Sequence, residues 1–204
     1  MVQSDGIAQV ASARPPWTEA RGDDPSGKPL TLTPEETERY TGLVETYFDA
    51  VWRTLRGLGV PHAHADDAAQ QVFLVALKKL GQIASGSERA FLLGTAVGIA
   101  SNARRGLSRR REVADPDVVD FGADPRPDPE QAALISERRA LVQRVLDGMP
   151  EDLRIVFVLF ELEGVTSIEI AHMLDLPVGT VSSRLRRARE HFQTKLQRTI
   201  GERP

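Results

Sequence analysis

The chain has 204 residues, 41% of them hydrophobic and 5% aromatic, and its formal net charge is −3 at pH 7. This length suits one ordinary domain or two small ones, and the low aromatic content favours helices packed through Leu, Val and Ala over a β-sandwich. Because the chain contains no cysteine, disulfides, thiolate metal sites and a cysteine nucleophile are excluded, and a reducing compartment is expected.

Residues 1–34 are predicted to form a disordered arm, because they carry scattered Pro, Gly and Asp and show no hydrophobic period. The chain does not open with a basic segment followed by an apolar one, so no signal peptide is predicted. The longest uncharged run, 90–103, is too short to span a bilayer. A cytoplasmic location is therefore expected.

Three apolar stripes with a spacing of three and four residues predict a first helical block. The first helix should start at Thr33 as N-cap, with Pro34 in its first turn and Glu36 completing a capping box. A second helix should open near Asp66 and stop at Gly81. The first of these helices is expected to bury Leu43, Val44, Tyr47, Phe48, Val51, Trp52 and Leu55.

A third helix is predicted from Glu88 into an arginine-rich end. The charges over 112–130 are almost all acidic, and the proline-bearing segment 113–130 is predicted to be a flexible linker. The segment 182–198 is basic again. Two basic blocks on either side of an acidic connector fit a two-point contact with a polyanion, although solvated helix faces produce similar blocks.

A second helical block is predicted beyond the linker, with helices over 130–147 and 151–162. The stretch 154–160 is strand-like in composition, but Leu153, Val156, Phe157 and Phe160 repeat at three and four residues, which favours a helix. The predicted fold class is therefore all-α, in two small helical domains joined by a flexible acidic linker.

The segment 166–190 fits a helix-turn-helix. Thr166 or Ser167 should cap its first helix with help from Glu169, residues 175–177 should form the turn, and the second helix should begin within 178–180. The apolar positions expected in the first helix are Ile168, Ile170, Ala171 and Leu174.

The second helix of this motif divides into two faces. Its apolar positions are Val181, Leu185, Ala188, Phe192 and Leu196, and its polar positions are Ser182, Ser183, Arg186, Arg187 and Arg189. Short hydroxyl and long arginine side chains near a helix N-terminus are typical of major-groove recognition, because arginine can bind guanine with two hydrogen bonds. The alternative is a basic amphipathic helix on a protein or membrane surface.

The wider segment 149–192 resembles region 4 of the extracytoplasmic-function (ECF) sigma factors of bacterial RNA polymerase. The resemblance rests on Pro150-Glu151-x-Leu153-Arg154, Glu161-x-Glu163-Gly164, Pro177-Val178-Gly179-Thr180-Val181, Ser183-Arg184-Leu185 and Arg187-Ala188-Arg189-Glu190. The first block resembles region 2 of the same family through "HADDAAQQVFLVALKKL" and "ERAFLLGTAVGIASNARRGLSRRR". The domains implied are region 2 at 35–112, the acidic linker at 113–130 and region 4 at 131–204.

The resemblance implies three sets of binding residues. The helix of region 2 that docks on the clamp helices of the polymerase's largest catalytic subunit would use Asp66, Asp67, Gln70, Gln71, Phe73 and Leu74. The loop 81–87, with Asn102, Arg104, Arg105 and Arg109, would hold the melted minus-10 strand. The minus-35 element would be read by Ser182, Ser183, Arg186 and Arg187, with Thr180 and Arg184 on phosphates.

The partners implied are core RNA polymerase, at its clamp helices and flap, promoter DNA and an anti-sigma factor, with no cofactor, metal ion or small-molecule substrate. The acidic linker would thread through the polymerase near the RNA exit path. The chain departs from the family's common pattern at Phe91, where Trp is frequent, and at Gly106, where Asp is frequent.

Three other interpretations of the sequence are possible alternatives to a sigma factor. An enzyme could use "HAHADD" (62–67) as a metal motif, but His-x-His needs a strand end, and this one precedes a helix. A stand-alone helix-turn-helix regulator that binds DNA as a dimer would explain 165–198 and leave the first block without a role. A sigma-like protein that binds polymerase yet initiates poorly is the third, and Gly106 is the residue that suggests it.

Overall fold

A computed structural model describes residues 32–110 and 129–201, and the side chains of 32–104 and 135–199 within them. In this part of the chain all regular secondary structure is helical, so the predicted all-α fold is confirmed there. The predicted arm, apart from its last residues, and nearly all of the predicted linker lie outside the described residues. The helices are α1 Pro34–Gly57, α2 His62–Lys78, a 3₁₀ turn Leu80–Gln82, α3 Glu88–Arg110, α4 Pro129–Asp147, α5 Glu151–Phe157 with a π-helical continuation Val158–Leu162, α6 Ser167–Leu174 and α7 Val178–Gly201.

Helix α1 begins with the predicted capping box. The Glu36 N–H donates to Thr33 Oγ1 at 3.2 Å, and the Thr33 N–H donates to Glu36 Oε2 at 2.9 Å. The helix then runs without interruption to Gly57 and buries Leu43, Val51 and Leu55, whereas Phe48, which was expected to be buried, is 37% exposed. Capping and the apolar stripe therefore agree on one long helix.

Helix α2 begins four residues earlier than the sequence predicts, at His62 and not near Asp66. Pro61 takes the N-cap position with φ −56°, because its ring restricts φ and it leads directly into the first turn. Asp66 lies inside the helix, where its Oδ1 accepts a hydrogen bond from Trp52 Nε1 at 2.9 Å. The predicted start of this helix near Asp66 is therefore wrong. The described residues contain no group of acidic and histidine side chains placed to hold a metal ion.

Two blocks make up the structure. The first block, residues 32–110, packs α1, α2 and α3 against one another, and the second block, residues 129–201, packs α4, α5 and α6 around α7. Their buried apolar residues form one continuous cluster, because α3 contacts α6 and α1 contacts the π-helical segment. The two blocks that the sequence predicts are thus present, and they touch.

The helix predicted over 151–162 is confirmed, but its last turn is π-helical. The Glu163 N–H donates to the Val158 carbonyl at 3.1 Å and the Val165 N–H to the Leu159 carbonyl at 2.9 Å. Gly164 then reverses the chain with φ +64°, a backbone conformation that favours glycine. Short π-helical turns are rare and often occur at functional sites.

No described helix has the length and hydropathy needed to cross a membrane.

Candidate nucleic-acid interface

The helix-turn-helix begins with a second capping box. The Glu169 N–H donates to Thr166 Oγ1 at 3.3 Å, and Thr166 donates its N–H and its hydroxyl to Glu169 Oε2 at 2.8 and 2.7 Å. These hydrogen bonds from Thr166 lower the pKa of the Glu169 carboxyl. The predicted start of α6 is confirmed.

The interior of the motif differs from the prediction at one residue. Ile170 and Ala171 are buried as expected, but Ile168 is 71% exposed, and Met173 lies in the core. Expecting Ile168 in the core was wrong, because this first-turn position points away from α7, whereas Met173 packs inward. Asp175 ends the helix in the left-handed conformation with φ 52°, which Asp tolerates better than most residues.

The inner face of α7 agrees with the sequence pattern. Val181, Leu185 and Ala188 are buried, and the Phe192 ring stacks on Phe157 with centroids 4.9 Å apart. Burying this face fixes the rotation of α7, so the opposite face must point to solvent.

The outer face of α7 presents the residues predicted to contact the minus-35 element. Ser182, Ser183, Arg186 and Arg187 are all exposed. Ser183 Oγ donates to the Thr180 carbonyl at 2.9 Å, and Arg186 pairs with Glu190 at 2.6 Å, whereas Arg187 forms no ion pair with any described residue. This face offers hydroxyls and cations near the positive end of a helix, which suits an anionic groove.

Two further arginines of α7 point sideways. Arg184 is half-buried and its Nε lies 3.5 Å from Asp152 of α5, at the edge of the outer face. Arg189 pairs with Glu161 at 2.6 Å and lies over the Phe160 ring, 5.3 Å from its centroid. Arg189 therefore links α7 to the π-helical segment through an ion pair and a cation–π contact. The charge pattern along the sequence does not reveal this role.

The residues predicted for the minus-10 strand are only partly described. Asn102 is exposed near the middle of the arginine-rich half of α3, and Arg104 is half-buried. Arg105 and Arg109 belong to α3, but their side chains lie outside the described part. Ser101, next to Asn102, donates its hydroxyl to Glu151 of α5 at 2.7 Å, so the second block touches this region of α3.

The loop 81–87 is exposed except at Ile83, which is buried. Arg39 of α1 anchors the loop, because its guanidinium donates to the Leu80 carbonyl at 3.2 Å and to the Ile83 carbonyl at 2.6 Å and pairs with Glu88 at 3.3 Å. Arg39 belongs to no sequence motif, so its role in shaping this loop is visible only in the structure.

The residues predicted to bind polymerase lie on α2 and fall into two groups. Asp66, Asp67, Gln70, Gln71 and Leu74 are exposed, and Leu74 is 47% exposed. Phe73 is 4% exposed and stacks against Phe48 with centroids 6.1 Å apart. Phe73 is therefore a core residue in this structure, and substituting it would test folding more than binding.

Arg154 and Glu163 are charged residues that are buried where the blocks meet. Arg154 is 2% exposed and donates to the carbonyls of Met149 at 2.7 Å, Asp147 at 3.2 Å and Leu58 at 3.4 Å. Burial, and then the neighbouring Arg104, lowers the pKa of Arg154 to about 10. Arg154 therefore joins the start of the second block to the loop after α1.

Glu163 is the buried acid at this contact, with 1% of its side chain exposed. Arg53 of α1 and Arg89 of α3 pair with its carboxylate at 3.3 and 3.8 Å, and Arg89 also donates to its carbonyl. Burial raises the pKa of the Glu163 carboxyl despite both arginines. In the sequence, Arg154 and Glu163 stand out only as parts of a motif, and no local pattern predicts their burial.

A family model matches part of the second block, and sequence relatives match about two thirds of the chain. The family Sigma-70, region 4 matches residues 139–192. The ECF RNA polymerase sigma-E factor of Escherichia coli strain K12 is 36% identical to the chain over 149 residues, which is 69% of this chain and 78% of that protein. The RNA polymerase sigma-H factor of Pseudomonas aeruginosa is 34% identical over 148 residues, 68% of this chain and 76% of that protein.

Two solved structures are similar to the fold. CnrH, in complex with the cytosolic domain of CnrY, has a TM-score of 0.57 and 26% identity over 79% of this chain and 89% of its own. The sigma factor RpoE, in complex with the anti-sigma factor NepR from Bartonella quintana, has a TM-score of 0.59 over 78% of this chain and 98% of its own. At 21% identity, this second likeness concerns the fold alone.

Proposed function

The chain belongs to the ECF sigma factors of bacterial RNA polymerase, and we propose that it directs the core enzyme to specific promoters and helps to melt them. It acts as a dissociable subunit without cofactor or catalysis of its own, since the polymerase supplies the chemistry. The cytoplasm is where it would meet both the polymerase and promoter DNA.

The length of the match to the sigma-E factor carries this proposal. The second domain, 131–204, has 74 residues (204 − 130), so a match of 149 residues has to include the first block as well. A stand-alone helix-turn-helix regulator would need only the second block. The sigma function is therefore favoured over that alternative, because it uses both blocks.

The proposed domains are region 2 at 35–112, the acidic linker at 113–130 and region 4 at 131–204. A linker between two weak sites adds avidity only when a scaffold fixes their spacing, and the polymerase would be that scaffold. The arginines of both domains would make the affinity for DNA fall steeply with salt.

The minus-35 element would be read by the outer face of α7. Ser182, Ser183, Arg186 and Arg187 would contact base edges, and Thr180 and Arg184 would bind phosphates. What supports this assignment is that the four proposed base readers are exposed on one face whose opposite side is buried. Arg184 would have to leave Asp152 or share it in order to reach a phosphate.

The melted minus-10 strand would be held by the loop 81–87 together with Asn102, Arg104, Arg105 and Arg109 of α3. Exposed loop residues and a basic helix end are the features that single-strand binding needs. Phe91 is buried in the first block, so it can fill the core position where the family often has Trp.

The exposed face of α2 would dock on the polymerase. Asp66, Asp67, Gln70, Gln71 and Leu74 supply an acidic, amide-rich surface with one apolar anchor, and Phe73 would support it from the core. The second domain would contact the flap. An anti-sigma factor is a further proposed partner, in line with the complexes in which the similar sigma factor structures were solved.

Co-elution of the purified chain with bacterial core RNA polymerase on size exclusion tests the proposal. We expect wild type to co-elute and Leu74→Asp to elute alone, because a carboxylate would replace the exposed apolar anchor of α2. Ile135→Asp is the matched control, since Ile135 is 40% exposed on α4, outside the proposed face. A chain that never co-elutes, or that shifts DNA unaided as a dimer, would instead be a stand-alone regulator.

A further inference from the structure

The loop proposed for the minus-10 strand is tied to helix α1 by the side chain of Arg39. The Arg39 guanidinium donates through Nη1 to the Leu80 carbonyl at 3.2 Å and through Nη2 to the Ile83 carbonyl at 2.6 Å. Nη2 also pairs with Glu88 Oε1 at 3.3 Å. Arg39 therefore contacts the residue before the loop, a residue within the loop and the first residue of α3.

Ile83 is the residue of the loop that is held most firmly. Its side chain is 5% exposed and belongs to the apolar core of the first block, while its carbonyl accepts the hydrogen bond from Arg39. Its N–H donates to the Leu80 carbonyl at 3.3 Å. Because the side chain, the carbonyl and the N–H each have a partner, the backbone at this residue has little conformational freedom.

The remainder of the loop, residues 84–87, is an exposed turn that begins directly after Ile83. The Ser87 N–H donates to the Ala84 carbonyl at 3.0 Å, and Gly86 has φ +84°, the value that the third position of a type II turn requires. A Cβ atom on Gly86 would meet no described atom within 4 Å. Glycine is therefore required here for its backbone conformation, and the tip of the loop is open to a ligand.

A loop that distinguishes bases needs its groups in place before the strand arrives. A preorganised loop binds the base that fits it without a cost for ordering, whereas a mobile loop pays that cost and adapts to several bases. The position of the tip 84–87 depends on where Ile83 is held. Since the planar fork of Arg39 bridges the Leu80 and Ile83 carbonyls, this side chain fixes the point from which the tip extends.

We propose that Arg39 is a positioning residue for minus-10 recognition. By holding the carbonyls of Leu80 and Ile83, it sets the place of the loop tip 84–87 and thereby the base preference of the tip. Arg39 acts through the loop and not through a contact of its own with DNA. The inference rests on the proposed function, which assigns this loop to the minus-10 strand.

Transcription from a pool of random-sequence DNA templates tests this role in the reconstituted holoenzyme of core RNA polymerase and the full chain. Sequencing of the transcribed templates gives the base preference at each promoter position. We expect wild type to enrich a minus-35 and a minus-10 element. Arg39→Ala should keep the minus-35 preferences, because α7 is their proposed reader. At one or more minus-10 positions, the preference should fall from about tenfold, the order of one mismatch, to less than about twofold.

Three further variants separate the carbonyl bonds from the charge. Arg39→Lys should recover only part of the minus-10 preference, because an ammonium does not reproduce the planar fork. Glu88→Gln removes the ionic partner of Arg39 and should leave the preference intact. Glu38→Ala, at an exposed neighbouring position on α1, is the matched control. An equal loss in Glu88→Gln and Arg39→Ala would overturn the assignment to the carbonyl bonds.

A direct contact between Arg39 and a phosphate is the competing explanation, since its side chain is 34% exposed. Loss of a phosphate contact weakens binding to all sequences about equally, and a folding defect lowers the yield from every template. In both cases the minus-10 preference would persist. Lower transcription by Arg39→Ala with an unchanged minus-10 preference would therefore overturn the positioning role.

Hydrogen exchange of the free chain measures the loop without polymerase or DNA. We expect the amides of Ile83 and Ser87, which donate within the loop, to exchange faster in Arg39→Ala than in wild type, while the amides of α7 are unchanged. Equal exchange of these two loop amides in both chains would overturn the proposal.

The outcomes distinguish the two proposals. If the wild-type holoenzyme enriches no sequence, the sigma function fails, and hydrogen exchange still decides whether Arg39 fixes the loop. If wild type enriches both elements and Arg39→Ala shows the same minus-10 preference, the sigma function stands and the positioning role of Arg39 does not.

Discussion

The arginines of α7 differ in whether their charge already forms an ion pair within the protein. On α7, Arg189 is committed to Glu161 and Phe160, Arg184 shares Asp152, and Arg186 is paired with Glu190. Arg187 alone among these four has no ion pair with a described residue. Its charge is therefore the most available for DNA.

Arg187→Ala should weaken binding of the holoenzyme to a cognate minus-35 element by about 1–3 kcal/mol, the range for loss of a base-reading arginine. Arg186→Ala should cost somewhat less, because Arg186 gives up an exposed ion pair worth about 0.2–1 kcal/mol when it binds. Fluorescence anisotropy on cognate and scrambled duplexes measures both. Equal losses on the two duplexes would make the residue a phosphate contact, and exposed Arg198, near the end of α7, supplies a control variant.

Arg154 shows the opposite case, a cation used entirely inside the protein. Replacement with Leu should lower the free energy of unfolding, since each carbonyl left without a donor costs about 1–3 kcal/mol. Arg154→Lys should recover only part of the loss, because an ammonium cannot reproduce the planar fork of donors. Urea denaturation followed by circular dichroism measures the change, and a midpoint equal to that of wild type would contradict the structural role.

Among the elements, α6 depends most on local chemistry. It has eight residues, is capped by Thr166 and Glu169, and positions the turn that leads into α7. A helix this short is not stable alone, so its cap and its contact with α7 decide whether the motif forms.

Thr166→Ala should therefore destabilise the second block by about 1 kcal/mol at neutral pH, as loss of an N-cap usually does. The pKa of Glu169 is lowered from 4.5 in the folded chain, so its stabilising effect is present above 4.5 and lost as the pH falls through the lowered value. The stability difference between wild type and Glu169→Gln should accordingly shrink as the pH falls below 4.5. Thermal denaturation at several pH values measures it, and a difference independent of pH would exclude the charge of Glu169 as the cause.

At the scale of the whole molecule, the decisive feature is that two helical blocks meet through a mixed apolar and ionic contact. Helices α1 and α3 bring Arg53 and Arg89 to the same buried carboxylate, although these residues are far apart in the sequence. Such a contact can fix one arrangement of the blocks and still be broken by a partner that binds either side.

The raised pKa of Glu163 predicts how pH acts on this contact. A carboxyl whose pKa is raised in the folded chain stabilises the fold below its ordinary value of 4.5, and this contribution is lost as the pH rises through the raised value. Glu169 of α6 has a lowered pKa, so its contribution to stability changes with pH in the opposite direction. The free energy of unfolding of wild type, relative to that of Glu163→Gln, should therefore fall as the pH rises through the raised value, and urea denaturation at several pH values measures this difference. The same pH response in both variants would assign it to another group.

The sequence by itself determined the helices, both capping boxes, the helix-turn-helix and the two faces of α7, because these features depend on residues within a few turns of one another. The resemblance in its motifs was sufficient to indicate the family. Only the tertiary structure decided that Ile168 lies in solvent and Met173 in the core, because burial depends on which helix packs opposite. It also decided that Arg154 and Glu163 are buried where the blocks meet, since no local pattern records a contact between residues more than a hundred positions apart, such as Arg53 and Glu163.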